Sequence, residues 1–157
     1  MSRLSDDLRE LYRELILDHA RNPRHFGCIE GATHSAEGIN PLCGDKLRMY
    51  FRVDENGRIE DARFEGSGCA ISVASASLLT DTVIGQTTER ALAYFAAMVR
   101  RLASRGEPAE SEAGLDLGKL EALEGVKEFP TRVKCATLAW HALDSALNGR
   151  GSTVSTE

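Results

Sequence analysis

No apolar run in this chain reaches the length of about 20 residues that a membrane-spanning helix needs, so no helical span is expected. The first residues, Met1-Ser2-Arg3-Leu4-Ser5-Asp6-Asp7, are polar and acidic. They lack the apolar core of a signal peptide, and a cytoplasmic location is expected. Basic charge is not in surplus either. The net charge is −5, which argues against a general electrostatic attraction to nucleic acid. No internal repeat, Gly-rich phosphate loop or Ser/His/Asp pattern is present. Cysteine is sparse, at four in 157 residues, and in a reducing compartment that is no disulfide framework. Metal binding or thiol chemistry is the alternative to a disulfide role, and four buried thiols acting as small hydrophobes is the plainer reading.

The length suits one domain, residues 1–157, large enough to bury a core without covalent support. Ser5 to about Ala20 reads as an amphipathic helix, with Leu8, Leu11, Tyr12, Leu15 and Ile16 on one stripe and Pro23 ending it. His19 and His25 flank its exit and are read as surface or packing residues. Cys28, in a loop without a partner at ligand spacing, is read as a packed or spare thiol.

Lys46 to Asp54 alternates as a half-buried strand, and Asn56-Gly57 signals a hairpin returning through Arg58 to Glu65. Ile59, Ala62 and Phe64 break strict alternation there, which allows a bulge. A shorter strand near His34 to Ile39 completes a three-stranded antiparallel sheet. A small-residue helix runs through about Val83, and a second helix runs from Thr87 or Thr88 to about Ala103. Residues 104–114, rich in Gly, Pro, Ser and Glu, read as an exposed loop. Leu115, Leu117, Leu120 and Leu123 mark a short helix ended by Gly125, and Phe129-Pro130 reads as extended. The last helix is placed from Cys135 to Leu147, and the tail from about residue 149 is expected to fray.

The chemistry gathers around Asn40-Pro41-Leu42-Cys43-Gly44-Asp45, which sets a thiol and a carboxylate two residues apart on a turn. Cys69 and Cys135 each fall where a helix is expected to begin, a position that favours a thiolate. Cys43, Asp45, Cys69 and Cys135 together make a plausible four-ligand set for zinc. The spacing alone leaves another reading open: two helix-start cysteines packed in the core, with Asp45 in a turn hydrogen bond.

Three blocks carry a family resemblance. They are Asn40 to Asp45, Gly66-Ser67-Gly68-Cys69-Ala70-Ile71-Ser72 with Ala74 to Ser77, and Val133-Lys134-Cys135-Ala136-Thr137-Leu138-Ala139-Trp140. Together with the start, Leu11-Tyr12 through Asp18-His19 to Asn22-Pro23, they resemble the iron–sulfur cluster assembly proteins of the IscU/NifU type from Leu8 to Leu147. Lys134 stands where IscU-type scaffolds have histidine. With the stretch from about Ser104 to Leu123, this makes the chain similar to the SufU branch.

The resemblance implies an α+β fold, a three-stranded antiparallel sheet packed against several helices. It also implies zinc held by Cys43, Asp45, Cys69 and Cys135. The implied function is acceptance of persulfide sulfur from a SufS-type cysteine desulfurase and its passage to downstream iron–sulfur assembly components. That is the work of a carrier acting with an enzyme rather than a free-standing enzyme.

A closed four-ligand site has no vacant position, so transfer requires a partner to substitute one ligand and release a thiolate. Cys43, on its turn, is the expected acceptor, and the resemblance gives Arg132 a part in partner contact or sulfur handling. Two other functions fit the same residues. One is a scaffold for a transient [2Fe–2S] cluster with Asp45 as its noncysteine ligand. The other is a zinc-stabilised interaction module.

Overall fold

The computed structural model describes residues 3–41, 44–103, 117–149 and 154–155, with the side chains of residues 3–9, 103, 127 and 128 set aside. Helix α1 (Arg3–Arg21) leads into strands β1 (His34–Asn40), β2 (Asp45–Val53) and β3 (Ile59–Ser67). Helices α2 (Ala70–Val83) and α3 (Thr88–Ala103) follow, then a 3-10 helix (Gly118–Glu128), helix α4 (Pro130–Leu147) and a two-residue strand β4 (Val154–Ser155). The expected exposed loop 104–114 lies outside the described residues.

The sheet order is β3-β2-β1-β4. The expected antiparallel meander is present, but the sheet has four strands. Val154–Ser155 pairs parallel with Gly38 and Ile39 of β1, so the tail is tied down at these two residues instead of fraying. Val154 packs against the core, which gives this polar tail one apolar anchor.

β2 buries Leu47, Met49 and Phe51 on one face and exposes Lys46, Arg48 and Arg52 on the other, as its alternation dictates. Helices α4 and α2 cover the apolar face, α4 over β1 and β2 and α2 over β3. At the β2–β3 turn Gly57 adopts φ 80° and its N–H bonds the Asp54 carbonyl, while Asn56 keeps φ negative. The expected hairpin is present, and of the Asn-Gly pair only Gly57 uses positive φ. The anticipated bulge falls between Arg52 and Val53.

α2 is buried nearly all round because its residues are small: Ser72, Ala74, Ser75, Ala76 and Ser77 admit α1 and α4 at close range. Ser75 Oγ donates to the Ala136 carbonyl at 2.6 Å and accepts from Trp140 Nε1 at 3.2 Å, satisfying the polar tip of the largest buried side chain. Gly38 of β1 lies so close to α4 that a Cβ there would sit 3.0 Å from Leu138 Cδ1.

Two expectations at the end of the chain fail. The leucines from Leu117 to Leu123 bury, but as a 3-10 helix continuing past Gly125 to Glu128. Pro130 does not force extension. It takes the first helical position of α4, where its missing N–H is not needed and its fixed φ is already helical. Phe129, the N-cap residue before it, is outside the helical region at φ −125° and ψ 81°.

Candidate metal centre

Three junctions converge at one end of the sheet: the β1–β2 turn, the β3–α2 turn and the contact of the second turn of α4 with β1. They bring together Asp45, Cys69 and Cys135, whose ligand atoms lie within 4.8 Å of one another. Asp45 and Cys135 are fully buried and Cys69 is half-buried. Leu42 and Cys43 lie outside the described residues, so the fourth expected ligand is not placed. Pro41 and Gly44, on either side of this pair, are placed on the β1–β2 turn, and Gly44 adopts φ 72°.

Asp45 opens β2 opposite Asn40, the last residue of β1. Its Oδ1 accepts the Cys69 N–H at 2.7 Å, so the carboxylate fastens the turn that delivers Cys69. That turn needs its glycines. Gly66 has φ +130°, and a Cβ there would lie 2.1 Å from the Lys46 carbonyl oxygen. A Cβ on Gly68 would lie 2.4 Å from Ser72 Oγ and 2.7 Å from Asp45 Oδ1. Cys69 is the N-cap of α2, as expected, where the helix dipole favours an anion.

Cys135 is not at a helix start. Because α4 begins at Pro130, Cys135 falls in its second turn, beyond the free N–H groups. Its sulfur instead accepts from Asn40 Nδ2 at 3.4 Å, an amide that also lies 3.4 Å from Asp45 Oδ2. Within Asn40 to Asp45 the sequence assigns Asn40 no role of its own. Only its register opposite Asp45 shows that it faces the cluster. Arg132 is exposed in the first turn of α4, its N–H bonded to the Phe129 carbonyl at 2.7 Å. Lys134 is also exposed.

The donor set suits a thiophilic divalent ion. Zinc ligands in a tetrahedral shell stand about 3.5–3.8 Å apart, given Zn–S near 2.3 Å and Zn–O near 2.0 Å. The three described donors already fall within reach of that spread. The Asp45 carboxylate sits buried and forms no ion pair with a lysine or arginine among the described residues, and a bound cation would supply the missing charge. Among the described residues no other group of three such donors is found, and no cysteine is in a disulfide.

The remaining histidines and Cys28 stay outside the site. His19 is fully buried, its Nδ1 2.7 Å from Ser77 Oγ, and burial holds its pKa below the usual histidine value. His141 packs edge-to-face on Phe95 and is likewise lowered by burial. Cys28 is exposed. Beside Cys69, the apolar side chains of Ile16, Ile71, Val126 and Phe129 line a groove of about 380 Å³.

A thiol–carboxylate cluster held where helices meet one end of a four-stranded sheet marks this as a small α+β domain with a candidate metal site. Residues 11–147 match the NifU-like N-terminal domain family, and the chain belongs to it. It is 41% identical over 141 residues to the zinc-dependent sulfurtransferase SufU of Bacillus subtilis, covering 90% of this chain and 92% of that one. It is 41% identical over 140 residues to the iron-sulfur cluster assembly scaffold protein IscU of Streptococcus pyogenes, covering 89% and 84%. Among solved structures, the putative SUF-system scaffold protein of Fervidobacterium islandicum superposes with a TM-score of 0.75 at 36% identity, over 85% of this chain and 94% of that one. These likenesses place the chain among the iron–sulfur cluster assembly proteins of the IscU/SufU family. No helix among the described residues is long and apolar enough to cross a membrane.

Proposed function

We propose that this protein is a zinc-containing sulfur acceptor of iron–sulfur cluster assembly, which takes persulfide sulfur from a cysteine desulfurase and passes it on. The observation that carries the reading is the convergence of Asp45, Cys69 and Cys135 beside the turn that bears Cys43. Similarity, at 41% identity over 90% of this chain, to a relative named as a zinc-dependent sulfurtransferase supports it.

Cys43, Asp45, Cys69 and Cys135 would hold the zinc. When bound, the ion keeps its cysteine ligands deprotonated and ties the three junctions together. Asp45 orients the Cys69 turn through the Cys69 N–H. The Cys43 thiolate attacks the terminal sulfur of a cysteine persulfide on the desulfurase. A new S–S bond forms on Cys43, the partner's S–S bond breaks, and the electron pair leaves on the partner's cysteine thiolate, with no net oxidation. Arg132, exposed one turn before Cys135, would meet the partner or the incoming sulfur. The groove beside Cys69 and the exposed Phe129 give the thiols an apolar rim suited to a protein partner.

The test is persulfide transfer from a cysteine desulfurase to the wild type and to Cys43→Ser, followed by mass spectrometry. Wild type should gain sulfur on Cys43 and the variant should not. Equal labelling of both overturns the acceptor assignment. The equal identity to an IscU scaffold supports a second reading, assembly of a transient [2Fe–2S] cluster as cargo on the same thiols. Zinc, iron and acid-labile sulfide measured on one anaerobic preparation separate the two. About one zinc per chain without iron favours sulfur transfer, and iron with sulfide favours the scaffold.

A further inference from the structure

Asn40 is wholly buried at the end of β1, and its amide reaches two of the three clustered donors at once. The 3.4 Å separation is ordinary for N–H···S and long for N–H···O, so the sulfur is the firmer partner. A thiolate and a carboxylate only accept, so the NH₂ must be the end that faces them. The other end is costly. Asn40 Oδ1 is buried with no hydrogen-bond partner among the described residues. An apolar side chain of the same shape would avoid that cost, so the fold alone gives no reason for an amide here.

Cys69 sits at a helix N-terminus, whereas Cys135 lies in the second turn of α4. Asn40, at the end of β1, donates to the Cys135 sulfur from outside that helix.

We infer that Asn40 is a positioning residue of the metal site. One N–H donates to the Cys135 sulfur and the other to the Asp45 carboxylate, which ties α4 to the β1–β2 hairpin and moderates the donor strength of the sulfur. The inference rests on the reading of this cluster as a metal site.

The experiment loads wild type, Asn40→Leu and Asn40→Ala with cobalt(II), follows the thiolate-to-cobalt charge-transfer band, and titrates each against a chromophoric chelator. Leucine copies the shape of asparagine without its donors. An N–H donated to sulfur stabilises the sulfur lone pairs. Its loss should shift the band to longer wavelength in both variants and weaken cobalt retention roughly tenfold or more, the usual effect of removing a group that orients a ligand. Variants that keep the wild-type band and retention overturn the role. So does failure of both to fold even with metal, which would assign Asn40 to the fold. A wild type that shows no such band would instead defeat the metal-site reading itself.

Discussion

Gly68 is the residue at which space decides the site most directly. Alanine there would press its Cβ to 2.4 Å from Ser72 Oγ and 2.7 Å from Asp45 Oδ1, which already holds the Cys69 N–H. Gly68→Ala is expected to destabilise by about 1–3 kcal/mol through this overpacking and to weaken cobalt or zinc binding. Gly125 is the matched control: a Cβ there meets nothing within 4 Å, and Gly125→Ala should change stability by less than about 1 kcal/mol. Urea unfolding of the two variants, with metal titration, checks both. Gly68 is legible in the sequence as one of the glycines that allow a sharp strand-to-helix turn. That its missing side chain makes room for a carboxylate 23 positions earlier is not, because chain spacing says nothing about which turns meet.

At the scale of elements, the seam between α1 and α2 carries a titratable group. His19 is buried against Ser77, whose Oγ also accepts the Arg24 N–H at 2.8 Å. Arg24 and Lys119 oppose a positive charge on the ring, while Asp18 and Asp81 favour it, and burial outweighs them all. The folded pKa therefore lies below the ordinary value near 6.5, and the unfolded chain binds a proton first as pH falls. The seam should lose stability as pH drops through about 6.5 toward the depressed folded value. Thermal unfolding of metal-stripped protein between pH 7.5 and 5.5 should show a falling Tm, and His19→Gln should flatten the slope in part, since His141 contributes in the same sense. An unchanged slope in His19→Gln would remove His19 from the account.

Helix and strand periodicity, read locally, placed α2 and α3 and the β2–β3 hairpin close to where they lie. The misplacements have different causes. Pro130 starts α4 instead of interrupting the chain, a local signal that a proline before a helix carries equally well. Val154–Ser155 joins the sheet beside Gly38 and Ile39 of β1, an outcome that depends on a neighbour distant in sequence.

For the whole molecule, the metal should act as a clasp at one end of the sheet rather than as its foundation. The core runs from Met49, Phe51 and Phe64 through Leu78, Met98 and Trp140 to Leu123 and does not need the cluster to close. Removing zinc with a chelator should lower Tm by the linkage between binding and folding, while the far-ultraviolet circular dichroism stays that of a folded α+β protein. Collapse of that spectrum on chelation would contradict this division.

The sequence by itself determined the fold class, the order of the elements and the family, because amphipathic periods and the three cysteine-bearing blocks are local patterns. It also singled out Asp45, Cys69 and Cys135. Only the tertiary structure decided that these three share one small volume, that Cys135 lies in a second helical turn, and that Asn40 stands between two of them. Those facts follow from strand register and helix packing, where one residue of shift along β1 would turn Asn40 to the other face of the sheet.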